Sequence, residues 1–238
     1  MRFWIHASAT FLILVGATGL SAQSLPIPKD NPRLRAALDT IKAEEAWTVN
    51  QQISLCEIPS PPFKEAARAA EYRRRLQALG MTNVRIDSVG NVIAERRGTG
   101  DGPTVLIEGH LDTVFPEGTS VKVKRTGTLL AGPGIGDDCR GLAVVLSVVR
   151  AFGRAKVQTA GTIYFVGDVG EEGQGNLRGT RYLFANTLKT RSTTSFRSTA
   201  RDSTSSTTAW EASAIASRTR GPAGTATVPS ASPIRSTR

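Results

Sequence analysis

Three short clusters hold the residues able to do chemistry. GHLDTVFPEG places His110 and Asp112 two positions apart, GPGIGDDCRG holds Asp137 beside Asp138, and VGDVGEEGQG holds Glu171 beside Glu172. Beyond the start of the chain, where His6 lies, His110 is the only histidine. Residues i and i+2 of an extended segment share a side, so His110 and Asp112 converge where a strand runs out into a loop. A histidine beside a carboxylate suits a cation on one ring nitrogen and a steadying partner on the other. Paired acids repel each other, and a cation relieves that repulsion. One imidazole and several carboxylates suit Zn²⁺ or a similar divalent ion. A carboxylate shared by two such ions would set them close enough to lower the pKa of a water and polarise a carbonyl. Neighbouring glutamates can divide the work, one binding metal while the other takes a proton from water and passes it to a leaving amine. Each cluster alone has a plainer reading: a polar loop, a helix cap by Asp138, a solvated acidic turn.

The elements that must position these residues follow from local pattern. Asn31-Pro32 is a helix start, and apolar residues recur at helical spacing from there to about Leu55. CEIPSPPFKE breaks the pattern. A second helix is expected from Lys64 to Leu79, stopped by Gly80. NVRIDSVGNVIAER alternates around a glycine as a hairpin does, TVLIEGH is a buried strand, and SVKVKRTGTLLAG is a further strand and turn. RGLAVVLSVVRAF is an apolar helix, GTIYFVGDV a second buried strand, and GNLRGTRYLFANTL a short last helix. Strands alternating with helices give an α/β class with a largely parallel sheet and flanking helices. In such a sheet ligands bind at the carboxyl ends of the strands, where all three clusters fall.

Taken together, in this order and spacing, the three clusters resemble the co-catalytic zinc peptidases related to glutamate carboxypeptidase, peptidase T and aminoacylase. The resemblance covers roughly Ala37 to Leu188. It implies that His110 binds one metal and Asp112 orients it, that Asp137 bridges two metals, that Glu172 binds the other, and that Glu171 is the general base. It implies two Zn²⁺ per site, with Co²⁺ or Mn²⁺ as alternatives, and a small peptide or N-acyl amino acid as substrate. Cys139-Arg140 departs from the Lys-Gly often found after the acid pair. Three family features are missing as the chain is written: a carboxylate some two dozen residues after Glu172, a distal histidine, and a lid domain with a Gly-Gly-His-Ser-like segment. The catalytic domain is therefore expected to be incomplete and its activity impaired, with a homodimer expected only if the lid were present.

The chain has 238 residues and a net charge of +10. Its first 22 residues have a basic start, the apolar run ATFLILVGATGL and a small-residue cleavage point, as a secretory signal does. That run is shorter than the ~20 residues of a bilayer span, so export to a periplasm or the exterior is expected, with no membrane attachment after cleavage. Residues 23–188 form the catalytic part. Cys56 and Cys139 either pair in an oxidising compartment or stay as two small half-buried thiols.

Residues 189–238 differ in kind. They hold eight Lys or Arg against two Asp or Glu, many Ser and Thr, and no apolar period. At face value this is a disordered basic tail, and the rival to an enzyme is an exported, non-catalytic protein whose tail grips polyanions. Trp210 and Phe196 are its only aromatics, and no nucleic-acid-binding fold is visible, so nucleic acid is not an expected partner. The genetic code offers another origin. Read one base out of phase, RGPAGTATVPSASPIRSTR permits a segment containing Gly-Gly-His-Ser, and TSFRSTA permits Phe-Ile-Ser-Ile-Asp-Gly. Both match features the resemblance requires, with the register lost near Lys189.

Overall fold

The computed structural model describes residues 30–188, together with the backbone of two strands at 193–197 and 213–215. The expected signal segment lies outside the described residues. Among those residues no helix is long and apolar enough to cross a membrane.

Helix α1 (Pro32–Ala43) begins where Asn31 caps it, the side-chain oxygen accepting from the Arg33 and Leu34 amides at 3.0 and 3.2 Å. The single helix expected up to about Leu55 is in fact two. Glu44, with φ −105° and ψ 24°, leaves helical geometry between α1 and α2 (Glu45–Cys56). Its carboxylate is drawn instead to Arg150 and Arg154. Helix α3 (Ala66–Ala78) ends as anticipated at Gly80, whose φ of +87° lets the Gly80 and Met81 amides reach the Gln77 and Leu76 carbonyls.

Strands β1 (Val84–Ile86) and β2 (Val92–Arg96) form the expected antiparallel hairpin. The Asp87 carboxylate closes its turn by accepting the Val89, Gly90 and Asn91 amides. β3 (Thr104–His110) follows, then the small antiparallel pair β4 (Lys124–Thr126) and β5 (Leu129–Ala131). The apolar helix α4 (Cys139–Arg154) leads to β6 (Ile163–Asp168), buried along its whole length. A short 3₁₀ turn (Gly173–Gly175), helix α5 (Arg178–Tyr182) and a π-turn (Leu183–Thr187) complete this part.

The main sheet has the order β1-β2-β6-β3-β7-β8, where β7 is Thr193–Arg197 and β8 is Ser213–Ile215. Only the centre is parallel: β3 lies parallel to both β6 and β7, while β1, β2 and β8 are antiparallel additions. The expectation of a largely parallel sheet therefore holds for β6-β3-β7. The flanks differ because a short turn can join β1 to β2, whereas parallel neighbours need a crossover. The tail expected to be disordered lies outside the described residues except for β7 and β8. Beside β3 the backbone of β7 finds a ladder for its own N–H and C=O groups.

Alternation along the strands separates two cores. Val92, Ala94 and Phe165 face one side with Tyr72, Leu76, Leu142, Leu146 and Leu55. Ile93, Tyr164 and Val166 face the other with Leu106, Leu183 and Leu188. Each large apolar side chain buried this way contributes about 1.5–3 kcal/mol. α3 and α4 cover the first face, with α1 and α2 packed outside α4.

Candidate metal centre

His110 ends β3 directly beside Asp168 at the end of β6. The α4 helix starts against this edge, and Asp138 makes the join. Its side-chain oxygens accept the His110 amide at 3.0 Å and the Gly141 amide at 2.8 Å, so one carboxylate caps α4 and ties it to β3. Gly109 makes the approach possible, since a Cβ there would lie 2.8 Å from Asp138 Oδ2 and 3.0 Å from the Leu142 nitrogen. Burial pushes the Asp138 carboxyl well above its ordinary pKa, against the pull of His110 and the two amides.

The Asp137–Asp138 peptide is cis, and Asp137 Oδ1 stands 2.8 Å from His110 Nε2. His110, Asp137 and Glu172 each offer a ligand atom, and these atoms all lie within 4.8 Å of one another. Three residues named from sequence as metal ligands are thus brought together. His110 is buried, Glu172 is half-buried, and the Asp137 side chain is 54% exposed, so the group opens to solvent on one side.

Asp112 sits differently from a simple steadying partner. Its carboxylate is 3.7 Å from His110 Nδ1, too far for a hydrogen bond, and its backbone carbonyl meets that nitrogen at 3.0 Å. The carboxylate instead accepts the Glu171 amide at 3.0 Å and the Glu172 amide at 2.9 Å. Asp112 therefore aims the imidazole with its main chain and holds the acidic turn with its side chain. Glu171 is consequently fixed at the backbone next to Glu172, its side chain half-buried at the same edge.

The electrostatics are those of an acidic pocket around one ring. Burial alone would lower the His110 pKa, but Asp112, Asp137 and Asp138 outweigh it and raise the value to about 11. Burial raises the Asp112 pKa, yet His110 and the amides of Glu172 and Glu171 bring it below the ordinary value. Glu172 is raised, first by burial and then by the neighbouring charge of Asp137. A cation added to this group would lower the cost of holding the carboxylates together.

Sequence reasoning missed two supporting residues and half the role of a third. Arg68 is fully buried in α3 and donates to the carbonyls of Ile58, Leu111 and Cys56, fixing the chain on either side of the site. Burial lowers its pKa to about 10, while Asp112 opposes the fall. Its only sequence signal is helical phase, four positions before Tyr72 on the same buried face. Asp168 is fully buried beside His110 and accepts from Thr180 Oγ1 at 2.9 Å; its signal was an acid ending an apolar strand. Asp138 was read as a cap, and its second bond to β3 had no local signature. The two cysteines, left open by the sequence, form a disulfide with both sulfurs buried.

Residues 106–216 match the family described as peptidase family M20/M25/M40. Carboxypeptidase G2 of Pseudomonas sp. (strain RS-16) is 29% identical over 180 residues, covering 72% of this chain and 42% of that protein. A putative [LysW]-lysine/[LysW]-ornithine hydrolase of Pyrococcus abyssi is 36% identical over 119 residues, covering 50% of this chain and 32% of the relative. Among solved structures, aminopeptidase PepT of Bacillus cereus superposes with a TM-score of 0.55 at 27% identity, over 66% of this chain and 43% of that one. The chain spans less than half the length of these relatives.

Proposed function

We propose, from the match of residues 106–216 to peptidase family M20/M25/M40, that the protein is a metal-dependent hydrolase of amide bonds in small peptides or N-acyl amino acids. The observation that carries this reading is the convergence of His110, Asp137 and Glu172 within 4.8 Å at the carboxyl edge of the sheet. Their nitrogen and oxygen donors fit a divalent ion of the Zn²⁺ type, with Co²⁺ or Mn²⁺ as substitutes. Bound there, such an ion supplies Lewis acidity toward a carbonyl and makes water a better nucleophile near neutral pH.

The chain's own residues do the rest. The Asp112 carbonyl accepts from Nδ1 and leaves Nε2 as the donor atom for the ion. The Asp112 carboxylate holds the amides of Glu171 and Glu172, which keeps their backbone in a fixed relation to the ring. Glu172 is the ligand and Glu171 the general base: it takes the proton from water and returns it to the leaving amine. Asp137, 2.8 Å from Nε2, would be the acid shared between two cations if two were held there.

Two finer readings belong to the same proposal. Turnover is impaired, because the three-donor group found among the described residues is short of what two cations require. The protein is exported, supported by the character of residues 1–22 and by a buried disulfide, which persists in oxidising surroundings.

The test is metal content after dialysis against Zn²⁺, with and without His110→Ala, paired with hydrolysis of dipeptides and N-acyl amino acids. We expect retained zinc that the substitution removes, and slow amide hydrolysis that depends on it. A protein that retains no zinc, or retains it equally without the imidazole, overturns the reading.

A further inference from the structure

The loop that carries Asp137 runs from the end of β5 to the first residue of α4, and one stripe of α2 is given over to it. Gln52 Nε2 donates to the Ile135 carbonyl at 2.7 Å. Cys56 is disulfide-bonded to Cys139, with a Cα–Cα separation of 5.4 Å, and its sulfur also lies 3.3 Å from the Pro133 carbonyl oxygen. Arg140, just past the loop, donates to Glu45 Oε1 at 3.0 Å and to Gln52 Oε1 at 3.4 Å. Glu45, Gln52 and Cys56 are spaced by seven and then four residues, which puts them on one face of the helix. Cys56, Cys139 and Gln52 are buried.

The need for such support lies in the acid it surrounds. The Asp137 side chain is half-exposed, and its Oδ1 meets His110 Nε2 at 2.8 Å, the atom a cation would take, so that contact could not hold the loop once an ion binds. A loop fixed in advance avoids the ordering cost at the moment of binding.

We propose that the Cys56–Cys139 disulfide and Gln52 are positioning residues for the metal site, holding the Asp137 loop so that its carboxylate stays in register with His110 before a cation arrives. This rests on the hydrolase reading above and adds to it a covalent device that holds a metal ligand in place.

The full chain in its metal-free form is compared with the Cys56→Ala/Cys139→Ala double variant and with Gln52→Ala, which keeps the disulfide. Co²⁺ is titrated and followed by its visible absorption, and amide exchange is measured without metal. Both variants are expected to bind Co²⁺ about tenfold or more weakly, the range seen when outer partners of metal ligands are removed. The Ile135 and Cys139 amides, bonded within the loop, are expected to exchange faster while those of β3 and β6 keep their protection. If the double variant fails to fold, Gln52→Ala decides alone. Unchanged Co²⁺ affinity, or protection lost evenly across the sheet, overturns the positioning role and leaves the hydrolase reading standing. A wild-type chain that binds no Co²⁺ overturns both.

Discussion

The carboxylate of Asp112 accepts the backbone amide of Glu172 at 2.9 Å, although the two residues lie in separate loops after different strands. The same carboxylate accepts the Glu171 amide, so one side chain sets the position of both glutamates relative to His110. The geometry of the acidic turn is therefore held from the loop after β3.

Asp112→Asn keeps the shape of the side chain but faces one of the two amides with an NH₂ group. Metal affinity is expected to fall by about tenfold to a hundredfold, as for other outer partners of metal ligands. Calorimetric Zn²⁺ titration measures it, and an affinity equal to wild type would show that the turn holds itself.

Glu171→Gln removes the proposed base and keeps the backbone amide that Asp112 binds. Hydrolysis is expected to drop by roughly 10²–10⁴ with zinc content unchanged. Loss of zinc along with activity would instead make Glu171 a ligand.

Gly109→Ala sets a methyl group 2.8 Å from Asp138 Oδ2 and 3.0 Å from the Leu142 nitrogen, where backbone has little room to yield. Urea unfolding is expected to show a loss of about 1–3 kcal/mol. An undiminished midpoint would mean that α4 can shift away from β3 at no cost.

Glu71 tests acid sensitivity away from the site. Hydrogen bonding from Arg74 holds its carboxyl down to about 2, with burial opposing and Arg75 assisting. A depressed folded pKa contributes stability above the ordinary value of 4.5 that is lost as pH falls through about 2. Glu71→Gln should cost about 0.3–1 kcal/mol at neutral pH, with the gap from wild type closing between those two values. A gap that persists at low pH would place its origin in packing.

For the tail, sequencing the gene across codons 185 to 200 is expected to reveal a one-base insertion or deletion near Lys189, followed in the restored phase by codons for Phe-Ile-Ser-Ile-Asp-Gly. An uninterrupted native frame through this region would make the basic tail the protein's own.

Much of the fold could be read along the chain because its causes are local. Asn31-Pro32 starts a helix through the reach of one side chain to two nearby amides. Gly80 ends another because it tolerates a positive φ. The alternation in β2 sends Ile93 to one core and Val92 and Ala94 to the other. The break at Glu44 could not be read this way, since the arginines that draw its carboxylate lie more than a hundred positions later.

By itself the sequence offered the residues chemically able to hold a cation, His110, Asp112, Asp137, Asp138, Glu171 and Glu172, and placed each cluster after a core element at one edge of a sheet; the resemblance to a family picked out His110, Asp137 and Glu172 among them. Tertiary structure alone decided how they meet. The Asp137 carboxylate reaches His110 across 27 positions of chain, and Asp112 reaches Glu172 across 60. Such contacts depend on α4 docking against β3 and on β3 pairing in register with β6, and packing and ladder hydrogen bonds between distant segments settle those together. The change of role at Asp112 follows from that docking, which leaves its carboxylate nearer the Glu171–Glu172 amides than the imidazole it was expected to steady.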